Sequence, residues 1–216
     1  METGPSEPTR IAPRRIAAET EQEVMRLANR YAREVARIPR WVDAATRRRL
    51  VAEASARLQR DVRAVVRHAR ELVAGEGAFA GRYLQIGRLS WAKRLQLAMI
   101  QANRELDQML ADPTIPKVDV ARRAATLAGY RVRRVARSEI NNAFVERQLS
   151  RLAARGVRYV RWITTSGRPC QICVGIATTD AFGLGAGVFP IDAVPEPPHP
   201  YCQCARVAVR AVRLAA

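Results

Sequence analysis

Cys170-Gln171-Ile172-Cys173 and, 25 residues later, His199-Pro200-Tyr201-Cys202-Gln203-Cys204 hold all four cysteines of this 216-residue chain; no cysteine precedes Cys170. A thiolate pair spaced CxxC fits a tight turn that aims both sulfurs at one point, which is how zinc ribbons and knuckles supply half of a tetrahedral shell. The second half is expected to work differently. Pro198 and Pro200 hold His199 near polyproline II geometry, whose period of three puts His199 and Cys202 on one side, and the period of two in a following strand aligns Cys202 with Cys204. Five donors, Cys170, Cys173, His199, Cys202 and Cys204, thus converge on four positions, and the ion they imply is a structural Zn2+.

Other uses of these residues fit less well. An even cysteine count also allows two disulfides, but the first residues contain no apolar signal segment, and thiols in a reducing compartment stay reduced. A thioredoxin-like pair wants CxxC at the head of a helix, whereas Pro169-Cys170 through Gly175 reads as running into a Gly-rich loop. A nucleobase deaminase needs an upstream His-x-Glu, and the one upstream histidine stands in His68-Ala69-Arg70, with arginine where the general acid/base must be. An HNH-type nuclease needs His or Asn beyond His199, and neither occurs there. Four sulfur or nitrogen ligands leave no position for water, so the site reads as structural and the protein as a non-enzyme with no small-molecule substrate.

Strands are expected on either side of the cluster. Val157 to Thr164 is rich in β-branched and aromatic residues, and Ala205 to Arg210 alternates in period two. They read as an antiparallel pair pinned by the metal, with the residues between Cys173 and His199 as a loop. The Gly183-Leu-Gly-Ala-Gly187 stretch in that loop reads as flexible; lacking a strand-then-helix context, it is no dinucleotide fingerprint.

Upstream the period changes to that of helices. Val24, Leu27, Tyr31 and Val35 recur at three and four residues in a helix from about Ala18 to Ile38, which Pro39 ends. Asp43 is the expected N-cap of a second helix, carrying Val51, Leu58, Val62 and Val66 and stopped by Gly75 and Gly77. A third runs from near Leu89 to Leu110, before Pro113 and Pro116. A fourth is expected from Asp119 to Leu127 with a break at Gly129, and a fifth from Val132 to Leu152, closed by Gly156. The resulting class is α+β: a mainly α-helical N-terminal region followed by a small zinc-stapled antiparallel β lobe. Its expected divisions are a disordered basic arm over 1–17, a helical region over 18–117 and a domain over 118–216.

Charge is the second feature. The net charge is +17 with a pI near 11.3, and all but Lys93 and Lys117 of the 37 basic residues are arginine. Arg47-Arg48-Arg49 and the stretch from Arg122 to Arg137 read as lacking acidic partners. Such a surface implies a polyanionic neighbour, bound through phosphate contacts and counterion release. No apolar run approaches the roughly 20 residues of a membrane span, so no membrane partner is expected.

Arg137-Ser138-Glu139 with Asn141 and Asn142 on one helix, Trp162 on a strand, Cys170-x-x-Cys173, and Pro198-His199-Pro200-Tyr201-Cys202-Gln203-Cys204 together resemble the Mu F-like head morphogenesis family of tailed bacteriophages. The resemblance covers about residues 118–212. Two positions depart from the family pattern: no aspartate stands in Thr165-Ser166-Gly167-Arg168, and Gln203 replaces the usual arginine between the last two cysteines. The resemblance implies a minor capsid protein of the virion, present in the host cytoplasm during assembly. Its implied partners are the phage portal and capsid proteins and, through the Arg-rich surface, packaged DNA. The other reading of the same residues is a free-standing zinc-ribbon protein that binds nucleic acid without sequence preference. Arg137 and Glu139 are expected to pair with each other or be solvated, Trp162 to be core, and His68 to lie on the surface.

Overall fold

The computed structural model describes residues 11–74, 91–199, 202 and 204–209. Residues 1–10 of the arm expected over 1–17, the stops at Gly75 and Gly77, the third helix's expected start near Leu89, and Pro200, Tyr201, Gln203 and Arg210 lie outside these. Among the described residues, five α-helices and a three-stranded antiparallel sheet make the class α+β: α1 (Ile11–Ala36), α2 (Ala44–Ala74), α3 (Trp91–Ala111), α4 (Lys117–Ala154), β1 (Tyr159–Ile163), α5 (Gln171–Thr178), β2 (Val188–Pro190) and β3 (Ala205–Val209). No described helix is long and apolar enough to cross a membrane. The chain divides into two compact units. Among the described residues, one holds 11–72 and 91–139, and the other holds 73–74 and everything from Ile140 onward. The division thus falls inside α4 rather than near residue 117.

The helical unit is built as its apolar periods require. Val24, Leu27, Tyr31 and Val35 of α1 meet Val51, Leu58, Val62 and Val66 of α2, Leu95, Met99, Leu106 and Leu110 of α3, and a stripe on α4 repeating every four residues, Val120, Ala124, Ala128, Val132 and Ala136. Asp43 does cap α2: its Oδ1 accepts from the backbone N–H groups of Ala45 and Thr46, and the Thr46 side chain first, with these N–H groups after it, holds its carboxyl below the usual carboxylate range. Helix α1 begins at Ile11, inside the expected arm. Pro13 does not prevent this, because first-turn N–H groups have no intrahelical acceptor to lose.

Gly129 does not break α4. The helix is continuous from Lys117 to Ala154, and a Cβ at residue 129 would stand 2.8 Å from Met25 Cε, so the glycine admits the α1 side chain against α4. Nor do the arginine stretches lack partners. Arg47 meets Asp107, Arg49 meets Glu53, Arg122 meets Asp119, Arg123 meets Glu105, and both Arg133 and Arg137 reach Glu21. Glu139, expected beside Arg137, is instead buried between Arg70 of α2 (2.6 Å) and Arg94 of α3 (3.1 Å). His68 is exposed, as read.

In the C-terminal unit, α4 ends in a turn where Gly156 takes φ 76° and the Val157 N–H donates to the Leu152 carbonyl, which reverses the chain into β1. Strand order is β2-β1-β3, with Trp162 opposite Arg206 and Val160 opposite Phe189. Val145 and Leu149 of α4 pack with Val160, Trp162, Phe189 and Val194, and with Cys173 and Cys202. The stretch expected as a loop is ordered into α5, a third strand and a 3₁₀ turn at Ile191–Ala193. Gly187 explains part of this. It takes φ 67°, its N–H donates to the Thr179 carbonyl, and its own carbonyl accepts from the Trp162 N–H, so it ties the end of α5 to β1.

Candidate metal centre

Cys170 and Cys173 are placed by a helix start rather than by a loop. Cys170 is the N-cap of α5, and its Sγ accepts the Cys173 N–H at 3.4 Å. CxxC at a helix head was the condition set for a thioredoxin-like pair, yet Cys173 points into a cluster with three further donors. Its sulfur lies 3.5 Å from His199 Nε2 and 3.8 Å from Cys202 Sγ.

Two overlapping groups of donor atoms could hold a metal ion: Cys170, Cys173 and His199, and Cys173, Cys202 and Cys204; within each group all donors lie within 4.8 Å of one another. All five residues singled out by spacing are therefore in the cluster, and Cys173 is the member common to both groups. Cys173 and Cys202 are buried, Cys204 is half-buried and Cys170 is exposed at the rim. The Cys202 N–H donates to the His199 carbonyl at 3.1 Å, which ties these two donor residues together. Cys202 and Cys204 precede β3 and are not part of it.

Electrostatics separate the thiols. The Cys173 N–H, the first cause, draws the Cys170 thiol below its ordinary value, as suits a sulfur at a helix N-terminus. Burial pushes the Cys173 and Cys202 thiols up. Two buried sulfurs 3.8 Å apart are poor as bare thiolates and good as ligands, because a divalent cation supplies the charge that burial removes.

Three donors hold the segment that carries Cys202 and Cys204. Asn141 Nδ2 donates to the Cys202 carbonyl (3.3 Å), Arg206 Nη1 to the Cys204 carbonyl (2.8 Å) and Gln148 Nε2 to the Arg206 carbonyl (3.1 Å). Alternate carbonyls 202, 204 and 206 are thus fixed from outside the ligand set. Arg206 is itself buried, with its guanidinium 4.0 Å from the centroid of the buried Trp162 ring. Asn141 belongs to the motif read from sequence; Gln148 and Arg206 do not. The available signal for Gln148 was its spacing of seven from Asn141, which puts both on one helix face. For Arg206 it was an arginine in a strand alternating with valine and alanine.

No family model, curated protein or solved structure matches the chain. The candidate metal centre therefore stands on its own donor set and geometry.

Proposed function

We propose that this chain is a minor head protein of a tailed bacteriophage, acting in prohead assembly or DNA packaging near the portal, with a structural zinc ion holding its C-terminal unit. The reading is carried by one observation: of the head-morphogenesis resemblance, Asn141 on α4, Trp162 on β1, the CxxC and the His-x-x-Cys-x-Cys belong to one sheet-and-helix unit that holds the five donors, while Arg137, Ser138 and Glu139 belong to the helical unit.

Zinc is favoured by ligand type and by size. Thiolate and imidazole select zinc over magnesium or calcium. Bonds of about 2.3 Å to sulfur and about 2.0 Å to nitrogen give tetrahedron edges of about 3.8 Å between two sulfurs and about 3.5 Å between sulfur and nitrogen. The Cys173–Cys202 and Cys173–His199 separations are 3.8 Å and 3.5 Å. The donors stand as two groups of three that share Cys173, and drawing one donor of either group toward the other would close a four-ligand shell with no site for substrate water, the arrangement of a staple rather than a catalyst. The unit has reason to need one, since its sheet has strands of five, three and five residues.

The net charge of +17 suits a protein that meets packaged DNA, and it equally suits the second reading, a free-standing zinc-ribbon protein that binds nucleic acid without sequence preference. The two separate by experiment. Co-expression with the portal and major capsid proteins of the same phage should place the chain in purified proheads. Proheads that form without it, or tight sequence-selective DNA binding at physiological salt, would overturn the head-protein reading.

A further inference from the structure

Arg206 is 3% exposed and is the one charged residue among the described buried residues of its unit, where Asn142 is the other polar one and the rest are aliphatic, aromatic, glycine or thiol. A guanidinium carries its charge at every relevant pH, so burying it is costly unless the surroundings compensate. On one side the Trp162 ring lies 4.0 Å from its centre, a cation–π contact set by the register that places Trp162 opposite Arg206. On the other, Nη1 donates at 2.8 Å to the carbonyl of Cys204, two residues back in the chain. Arg206 makes further interactions besides these.

A divalent ion with three or four thiolates keeps a net charge of about −1 or −2. In a buried setting that excess charge is as unwelcome as the lone guanidinium, and the two offset each other when they are neighbours. We propose that Arg206 is a positioning residue of the metal centre, which fixes the Cys204 carbonyl and sets a permanent positive charge beside the metal–thiolate cluster. Trp162 is its platform, holding the guanidinium in plane and keeping water off that face. The proposal rests on the zinc reading above and adds a residue that neither ligates the metal nor follows from the cysteine spacing.

The test is zinc affinity of the full chain by chelator competition, together with melting in excess chelator and in excess zinc. Arg206→Met keeps much of the side chain's length and removes charge and donor; Arg206→Gln keeps an amide donor and removes the charge. Loss of a group that supports a metal ligand from outside typically lowers affinity about 10–100-fold. That range is expected for Arg206→Met, with a smaller loss for Arg206→Gln. The rise in melting temperature on adding zinc should shrink in both. A residue that only fills the core would instead lower the metal-free and zinc-loaded transitions equally and leave affinity unchanged, which would overturn the proposal while leaving the zinc site standing. If Arg206→Met does not fold without metal, Arg206→Gln decides, and wild-type affinity in that variant overturns the proposal. A wild-type chain that holds no zinc removes both readings together.

Discussion

Asn141 and Gln148 stand seven residues apart on α4, and their amide groups donate to the Cys202 and Arg206 carbonyls, four residues apart in the segment that enters β3. Two helical turns of α4 therefore act as a fixed ruler along which the second half of the donor set is laid. The ligands need this, because Cys202 and Cys204 lie outside regular structure and have no ladder of their own to fix them.

Removing either amide should loosen the ligands as well as the fold. Asn141→Ala and Gln148→Ala are each expected to lower the stability of the C-terminal unit by about 1 kcal/mol. The double variant should lose more zinc affinity than a surface control such as Gln171→Ala, measured by chelator competition. Equal affinity in the double variant and the control would mean that α4 holds the segment without positioning the metal.

Gly187 and Gly183 offer a matched pair. Both have positive φ, 67° and 66°, but a Cβ on residue 187 would lie 2.5 Å from the Ala177 carbonyl oxygen, whereas one on residue 183 would meet nothing within 4 Å. Gly183→Ala should cost only the left-handed backbone penalty, about 1 kcal/mol. Gly187→Ala adds a clash with backbone that cannot swing away, and about 3 kcal/mol is expected in total. Urea titration followed by the fluorescence of the buried Trp162 would compare them, and similar midpoints would show that α5 gives way.

These positions also show where the chain was legible and where it was not. β-Branched and aromatic richness marks β1, period-two alternation marks β3, and donor spacing marks all five residues of the cluster, because all three are local patterns. Strand β2 is three residues long and contains Pro190, so it carries no alternation to read; it exists because β1 offers it an edge. Helix α5 was hidden because its N-cap is a sulfur in place of the usual Ser, Thr or Asp. Gly129 looked like a break, since its packing partner, Met25, is 104 residues away in sequence. Distance hid the ion pairs as well. Glu139 meets Arg70 and Arg94 at separations of 69 and 45 residues, and no helical spacing announces either.

Glu139 ties three helices at once, and its two arginines are each about one third exposed. Deleting the carboxylate leaves two guanidinium groups facing each other, so Glu139→Ala should destabilise the helical unit by about 2–3 kcal/mol, below the full cost for a wholly buried pair. Arg70→Ala or Arg94→Ala should each cost less, because Glu139 keeps one partner. A double-mutant cycle between Arg70 and Arg94 checks this: non-additive losses are expected, and additive ones would mean that the two pairs are independent.

Asp43 supplies the pH dependence. Its carboxyl is held below its ordinary value by the Thr46 hydroxyl first, and then by the Thr46 and Ala45 N–H groups it caps. A group with a lowered folded pKa contributes stability that is fully present above its unfolded value, about 3.9, and is lost as pH falls through the folded value. Asp43→Asn caps almost as well but does not titrate. The variant should match the wild type near pH 7 and lose less stability on acidification below about pH 4, read from urea midpoints across that range. Parallel acid limbs would show that the cap does not contribute to acid unfolding.

Cys173 should be the least replaceable donor. It is buried, it alone belongs to both donor groups, and its sulfur makes the two contacts that match tetrahedral edges. Cys173→Ala is expected to abolish metal retention, whereas Cys170→Ala at the exposed rim should retain metal with weakened affinity, because the group of Cys173, Cys202 and Cys204 remains intact and His199 lies next to Cys173. Metal per chain after dialysis, compared across alanine variants of the five donors, gives the ranking. Full retention by Cys173→Ala would mean that the ion sits elsewhere; complete loss with Cys170→Ala would mean that the helix-capping sulfur is an obligatory ligand and that the fifth donor, His199 or Cys204, is the spare.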